Sequence, residues 1–76
     1  MNDQQKNILL YLGRMESEQI QSDARFFSSR QSSDFKHCED LVESRLMLRH
    51  EMREFCYDDY SYRLTDLGRT VALALL

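Results

Sequence analysis

The sequence has no proline and only two glycines and two cysteines. The lack of proline and glycine argues against a linker or a disordered tail, because such segments are rich in these residues. No glycine-rich phosphate-binding loop is present. Two cysteines without a secretory context are typical of free thiols, although a disulfide between Cys38 and Cys56 is the alternative.

Long apolar runs are also missing. No run approaches the roughly 18 residues of a membrane span. The first five residues are polar except for Met1. We therefore expect neither a signal peptide nor a transmembrane helix, and a cytoplasmic protein that does not bind membranes. The 42% hydrophobic and 11% aromatic content predicts one folded domain, residues 1–76, whose small core would benefit from a partner.

An excess of basic residues is absent as well. Ten Lys and Arg stand against thirteen Asp and Glu, which gives a net charge of -3. A dedicated nucleic-acid domain usually carries a basic excess on one face. The charge balance lowers the expectation of DNA binding without excluding it.

The first half of the chain carries two helical patterns. A stripe of Ile8, Leu9, Leu12 and Met15 predicts an amphipathic helix from about Asp3 to Met15. A second helix is predicted from the helical spacing of Ile20, Ala24 and Phe27. Its start lies between Ser17 and Asp23, and its N-cap is Ser22 or Asp23 if the helix begins late. The serine-rich run 28–33 then predicts a turn, so that a helix-turn-helix fits the order.

A third helix is predicted to begin at Ser33 as its N-cap. The 3.6-residue period puts one set of residues on its core face: Phe35, Cys38, Leu41, Val42 and Leu46. A recognition helix would show the opposite face to a DNA groove. This face consists of Ser33, Lys36, His37, Asp40 and Ser44, and Glu43 lies at its border.

The period then changes to two, which predicts a β-hairpin. In the first strand one face has Leu48, His50 and Met52 and the other Arg49, Glu51 and Arg53. The second strand alternates Tyr60, Tyr62 and Leu64 with Ser61 and Arg63, and residues 56–59 form the loop. Thr65 is a suitable N-cap for a last helix, which has Leu67, Val71, Leu73 or Ala74, and Leu75 as its apolar residues.

The segments Leu41–Met47 and Tyr62–Gly68 together resemble winged helix-turn-helix domains of MarR- and PadR-type bacterial and phage regulators. Such domains share a segment that leads from the recognition helix into the wing, and a Tyr-Arg-Leu-Thr sequence followed shortly by Gly. The resemblance implies an α+β winged helix-turn-helix of three to four helices with a two-stranded hairpin wing.

The chain departs from that family at two places. Arg45 stands where Gly is common, and a left-handed backbone there costs a residue with a Cβ on the order of 1 kcal/mol, so we expect this helix to end differently. The wing tip, residues 56–59, has two carboxylates and no Lys, Arg or Gly. We do not expect this tip to touch a phosphate backbone.

The resemblance predicts a small DNA-binding transcriptional regulator. Arg and Ser groups would contact phosphate, while Lys36, His37 and Asp40 would read bases. The candidate DNA-binding residues are Arg25, Arg30, Ser32, Ser33, Lys36, His37, Arg49, Arg53 and Arg63. The alternative for each Arg is a solvated surface residue paired with an acid, for example Arg63 with Glu51.

A second hypothesis is a non-enzymatic protein-binding module. An acidic and aromatic surface could bind a basic protein surface, including the nucleic-acid groove of another machine, as a phage-encoded inhibitor of the anti-CRISPR kind would. Its candidate residues are Asp40, Glu43, Glu54, Phe55, Tyr57, Asp58, Asp59 and Tyr60. Asp34, Glu39 and Glu51 belong to the same acidic set.

A homodimer is also predicted, because the first and last helices have more apolar residues than one core contact needs. The candidate dimer residues are Leu10, Tyr11, Val71, Leu73, Leu75 and Leu76.

Enzymatic activity is not expected. His37 and Cys38 are adjacent, so on a helix they point about 100° apart and cannot act as a base and nucleophile. Cys38, His50 and Cys56 lack a closely spaced pair and a fourth ligand, so neither a metal nor another cofactor is predicted.

Overall fold

The computed structural model describes residues 1–18, 24–51 and 59–76. Within them the chain is an α+β domain of three helices and a three-stranded antiparallel sheet. The elements in chain order are α1 (Asp3–Glu18), β1 (Phe26–Ser28), α2 (Phe35–Glu43), β2 (Met47–Glu51), β3 (Tyr60–Leu64) and α3 (Asp66–Leu75). None of these helices combines the length and the hydropathy that crossing a membrane requires.

The sheet has the order β1-β3-β2, with β3 in the centre. Tyr62 lies opposite Phe26 on one side and Arg49 on the other. Because side chains alternate along a strand, Tyr62 shares one face of the sheet with its neighbours Tyr60 and Leu64. This inner face packs against the helices, and all three residues are buried on it.

The predicted helix ending near Phe27 is wrong for the residues that the structure describes. Phe26 and Phe27 belong to β1, whose backbone pairs with β3, and burial alternates from Phe26 through exposed Phe27 to buried Ser28. A separation of three residues between two apolar side chains does not distinguish a helix from a loop leading into a strand. Aromatic side chains pack well on a pleated surface, and the open edge of β3 supplies the hydrogen bonds.

Two consequences follow for the helix-turn-helix. Residues 24–34 contain β1 and turns rather than a helix, and the sheet has three strands instead of the two predicted for the wing. Ile20 and the two predicted caps, Ser22 and Asp23, lie outside the described residues, as does Met52 in the hairpin.

The turn before α2 also differs from the prediction of Ser33 as N-cap. The capping position is Asp34, whose side chain makes no capping hydrogen bond. The Ser32 backbone N–H donates to the Ser29 carbonyl at 3.0 Å and that of Phe35 to the Ser32 carbonyl at 3.2 Å. The Ser32 hydroxyl accepts from the Asp34 N–H at 3.2 Å, so Ser32 orders the helix entry.

The end of α2 contradicts the expectation that Arg45 makes the helix end differently. Arg45 has a positive φ of 64°, the left-handed conformation usually taken by glycine. Its N–H donates to the Val42 carbonyl, and the N–H of Leu46 donates to the Leu41 carbonyl, both at 2.9 Å. These two bonds define a Schellman motif, which stops α2 and turns the chain into β2.

The strain at this position can be measured. We expect Arg45→Gly to stabilise the protein by about 0.5–1 kcal/mol, since relief of the left-handed strain exceeds the extra entropy of an unfolded glycine chain. Thermal or urea denaturation would measure the change. Ser44→Gly is the matched control, because Ser44 has a negative φ of -77°, and it should destabilise instead. An Arg45→Gly variant no more stable than the wild type would show that the strain is absorbed elsewhere.

The core lies between the inner face of the sheet and the three helices. Its completely buried side chains include Leu9, Leu12, Cys38 and Tyr62. The first three lie on the faces that the helical patterns predicted to be buried. Thr65 caps α3 as predicted, accepting from the Gly68 N–H at 3.0 Å.

The register also rules out one predicted ion pair. Arg63 lies opposite Leu48, and Glu51 lies opposite Tyr60. Arg63 and Glu51 therefore project from opposite faces of the sheet and cannot pair.

Candidate functional site

The exposed side of α2 is dominated by carboxylates. Lys36 and Glu43 are exposed and Glu39 and Asp40 are half-buried, and the helical period places all four on the side away from Cys38 and Leu41. We call these four residues the acidic α2 face. It has three acids and one base.

Glu39 is held in place by two partners from the sheet. Its Oε1 accepts from the Arg49 guanidinium at 2.5 Å, and its Oε2 accepts from the Tyr62 hydroxyl at 3.1 Å. Burial raises the pKa of Tyr62, and the bond to Glu39 raises it further, so this phenol stays a neutral donor. Arg49 therefore forms an ion pair within the protein.

The start of α1 covers another part of this helix. The Gln5 Nε2 donates to the Asp40 Oδ2 at 3.3 Å, and the Asn2 Nδ2 lies 3.3 Å from the His37 Nδ1. Of the predicted base-reading residues, His37 therefore contacts Asn2, immediately before α1, and Asp40 contacts Gln5 in the first turn of α1. Of the three predicted base readers, Lys36 is exposed and the other two are half-buried.

Tyr60 is the centre of a cluster at the N-terminal end of α2. Arg30 donates from Nε at 2.9 Å and from Nη2 at 2.7 Å to the Tyr60 hydroxyl. The Arg49 guanidinium lies 4.9 Å from the centre of the ring, and Phe35 stacks on it at 5.8 Å. Tyr60 is only 5% exposed, so it is part of the core and not the surface anchor predicted.

The outer face of the sheet is a second surface, with a different chemistry. The side chains that alternate with the buried ones include two arginines, a histidine and two large apolar groups. This outer sheet face consists of Arg25, Phe27, Leu48, His50, Ser61 and Arg63. Arg25 reaches the Ser61 hydroxyl from Nη1 at 3.4 Å, which fixes it on this side.

The structure therefore separates the predicted DNA contacts into two groups. Arg30, Lys36 and Arg49 lie on the helical side with Ser32 and Ser33, whereas Arg25 and Arg63 lie on the outer sheet face. Arg53 is outside the described residues. The residues do not form one continuous basic surface in the described part of the chain.

The predicted protein-binding set is only partly described. Asp40 and Glu43 belong to the acidic α2 face, and exposed Asp59 accepts from the Arg30 backbone N–H at 2.8 Å. The remaining four, Glu54, Phe55, Tyr57 and Asp58, lie outside the described residues.

The predicted dimer residues differ in their exposure. Tyr11 is half exposed and packs edge-on against Phe26 of β1 at 5.9 Å. Leu73 and Leu76 on α3 are exposed. The other three, Leu10, Val71 and Leu75, are half-buried.

A cavity of about 180 Å³ lies between α1 and α3, beside Gly13, Ser17 and Leu73. At its wall, Glu16 Oε2 accepts from Arg69 Nε at 2.7 Å, and this bond raises the pKa of Arg69. The ion pair fastens the two helices together.

The one described cysteine is not positioned for chemistry. Cys38 is completely buried, and burial raises the pKa of its thiol to about 12, so it is a poor nucleophile. Cys56, in the metal set considered above, lies outside the described residues. Across residues 1–18, 24–51 and 59–76, no three His, Cys, Asp or Glu side chains are grouped to hold a metal ion.

Sequence reasoning missed the link from Glu39 to Arg49 and Tyr62. The hairpin prediction placed Arg49 on the face opposite Leu48, but nothing local indicates that this face meets α2. The outer sheet face was missed because Phe27 was assigned to a helix.

No known protein family, curated protein or solved structure matches this chain.

Proposed function

We propose that this domain is a non-enzymatic protein-recognition module of the cytoplasm, whose acidic α2 face binds a basic protein surface. The observation that carries the proposal is the charge of that face. Glu39 is paired with Arg49, but Asp40 and Glu43 have no cationic partner among the described residues, and Lys36 is the base that accompanies them. Complementary charge speeds the encounter with a basic partner and selects against acidic ones.

The same geometry weakens the case for α2 as a recognition helix. A helix in the major groove lies between two rows of phosphates, which would face these carboxylates. Arg49, the nearest sheet cation, is already paired with Glu39. Within the described residues, no hydrogen bond or ion pair engages the Glu43 side chain, so its charge faces solvent or a partner.

A winged-helix regulator that binds duplex DNA is the second candidate. It is supported by the hairpin between α2 and α3, by the left-handed end of α2, and by the exposure of Ser33 and Lys36. The winged helix-turn-helix fold itself, the homodimer and the phage-inhibitor role stay predictions.

The two candidates can be separated by two labelled probes, an oligoarginine peptide and a DNA duplex, using fluorescence anisotropy at low salt. We expect the peptide to bind more tightly than the duplex. Glu43→Lys should weaken peptide binding about two- to fivefold and Lys36→Glu should strengthen it by a similar factor, as expected for single surface charges.

Glu18→Lys is the matched control, because Glu18 is exposed at the end of α1 and its reversal changes the net charge equally. If it weakens peptide binding as much as Glu43→Lys, the attraction comes from net charge and the acidic α2 face is not the site. Duplex binding that is lost in Lys36→Glu and unaffected in Glu18→Lys would favour the regulator instead.

A further inference from the structure

Among the described residues, the two sides of the sheet differ in charge. Although the net charge is -3, the outer sheet face has two arginines and a histidine. Asp59, immediately before β3, accepts from the backbone N–H of Arg30. The acids of α2 lie on the other side of the sheet. Within the described strands, the outer sheet face therefore has arginines and no carboxylate.

Apolar side chains accompany these arginines. Phe27 on the edge strand β1 is 49% exposed, and Leu48 on β2 is 43% exposed. The register places Phe27 beside Ser61, and Ser61 beside His50, in one row across the three strands. An exposed aromatic ring next to arginines on a sheet is an arrangement that stacks a base and binds its phosphate.

Two polar atoms of the same face have no hydrogen-bond partner among the described residues. They are His50 Nε2 and Arg63 Nε, and both are buried. Arginine is suited to phosphate because its planar group donates several hydrogen bonds in a fixed geometry.

We propose that the outer sheet face binds single-stranded nucleic acid, with Arg63 and Arg25 on the phosphates and Phe27 stacked on a base. A duplex fits less well, because its bases present only their edges while Phe27 offers a ring face. This proposal does not depend on the acidic α2 face, which lies across the sheet.

The test uses the full chain with a short oligothymidylate as the probe. Binding measured by anisotropy should weaken with salt, with a logarithmic slope of about -1.4 to -2 for two or three phosphate contacts. Phe27→Ala should weaken binding about fivefold or more, and Phe27→Tyr should preserve it. Arg63→Ala should also weaken binding and flatten the salt slope.

Lys36→Ala is the matched control for Arg63→Ala, since it removes the same charge from the acidic α2 face, and it should change affinity less than twofold. Because Arg63 is half-buried, its variant is checked by circular dichroism, and the wild type is mapped independently by amide chemical shifts. Shifts at Phe27, His50 and Ser61 on adding oligothymidylate support the proposal.

Three results would overturn it: shifts confined to α2, equal affinity in Phe27→Ala and wild type, or no binding at low salt. Tighter binding of an oligoglutamate peptide than of oligothymidylate would identify an acidic protein as the occupant instead. None of these results bears on oligoarginine binding, so the two proposals fail separately.

Discussion

A Gly68→Ala variant is expected to lose about 3 kcal/mol or more of folding stability, or to fail to fold. A Cβ at this position would lie 1.9 Å from the Leu46 carbonyl oxygen and 2.9 Å from its carbon. Both are backbone atoms held by neighbouring structure, since this oxygen accepts from the Thr65 N–H at 3.0 Å. No rotamer change relieves such an overlap, so α3 must move away from the start of β2.

The second helical glycine supplies the matched control. A Cβ on Gly13 would meet only the Ala72 Cβ, at 3.0 Å, which a small shift between helices relieves. Gly13→Ala also gains helix propensity of up to about 1 kcal/mol, so its net effect should stay within about 1 kcal/mol. Urea denaturation of both variants measures the difference. Similar losses in the two would mean that helix packing in general, and not the close approach to Leu46, sets the requirement.

This close approach explains why the sequence from Tyr62 to Gly68 was informative. Tyr62 and Leu64 alternate into the core, Thr65 caps the helix, and Gly68 lets the first turn of α3 touch the backbone of Leu46. Each role follows from a residue type at a fixed spacing. Local rules of this kind also predicted α1, the core face of α2 and the hairpin strands.

What the sequence did not predict depends on contacts between distant segments. β1 exists because Phe26 and Ser28 pair with the edge of β3, more than thirty residues later, and a three-residue strand has too few side chains to show a period. The extra strand adds Phe27 to the outer sheet face. Tertiary pairing overrides local propensity in such short segments.

The candidate sites show the same division. Counting charges along the chain showed that basic residues are outnumbered, but it could not show that Arg49 is paired with Glu39 while Arg63 lies on the opposite face. The segregation of charge is a property of the fold and not of the composition. Burial of Tyr60 and the contacts of His37 with α1 likewise required the structure.

The contact between α1 and α3 leads to the second large effect. Ala72 is completely buried where α3 crosses Gly13 of α1, and the two backbones are separated by little more than the alanine methyl group. Ala72→Leu adds three carbon atoms to this contact and is expected to cost about 2–3 kcal/mol. For a domain of this size the melting temperature should fall by roughly 10–20 °C.

Ala74→Leu adds the same atoms to the same helix on its exposed side and should leave the melting temperature nearly unchanged. The comparison by thermal denaturation isolates the contact, because both variants lose the same small amount of helix propensity. If Ala72→Leu melts with the wild type, α1 and α3 are not held at this separation, and the ion pair between Glu16 and Arg69 would not form as described. A loss confined to Ala72→Leu would instead establish that the small side chains at this crossing determine how closely the last helix packs on the first.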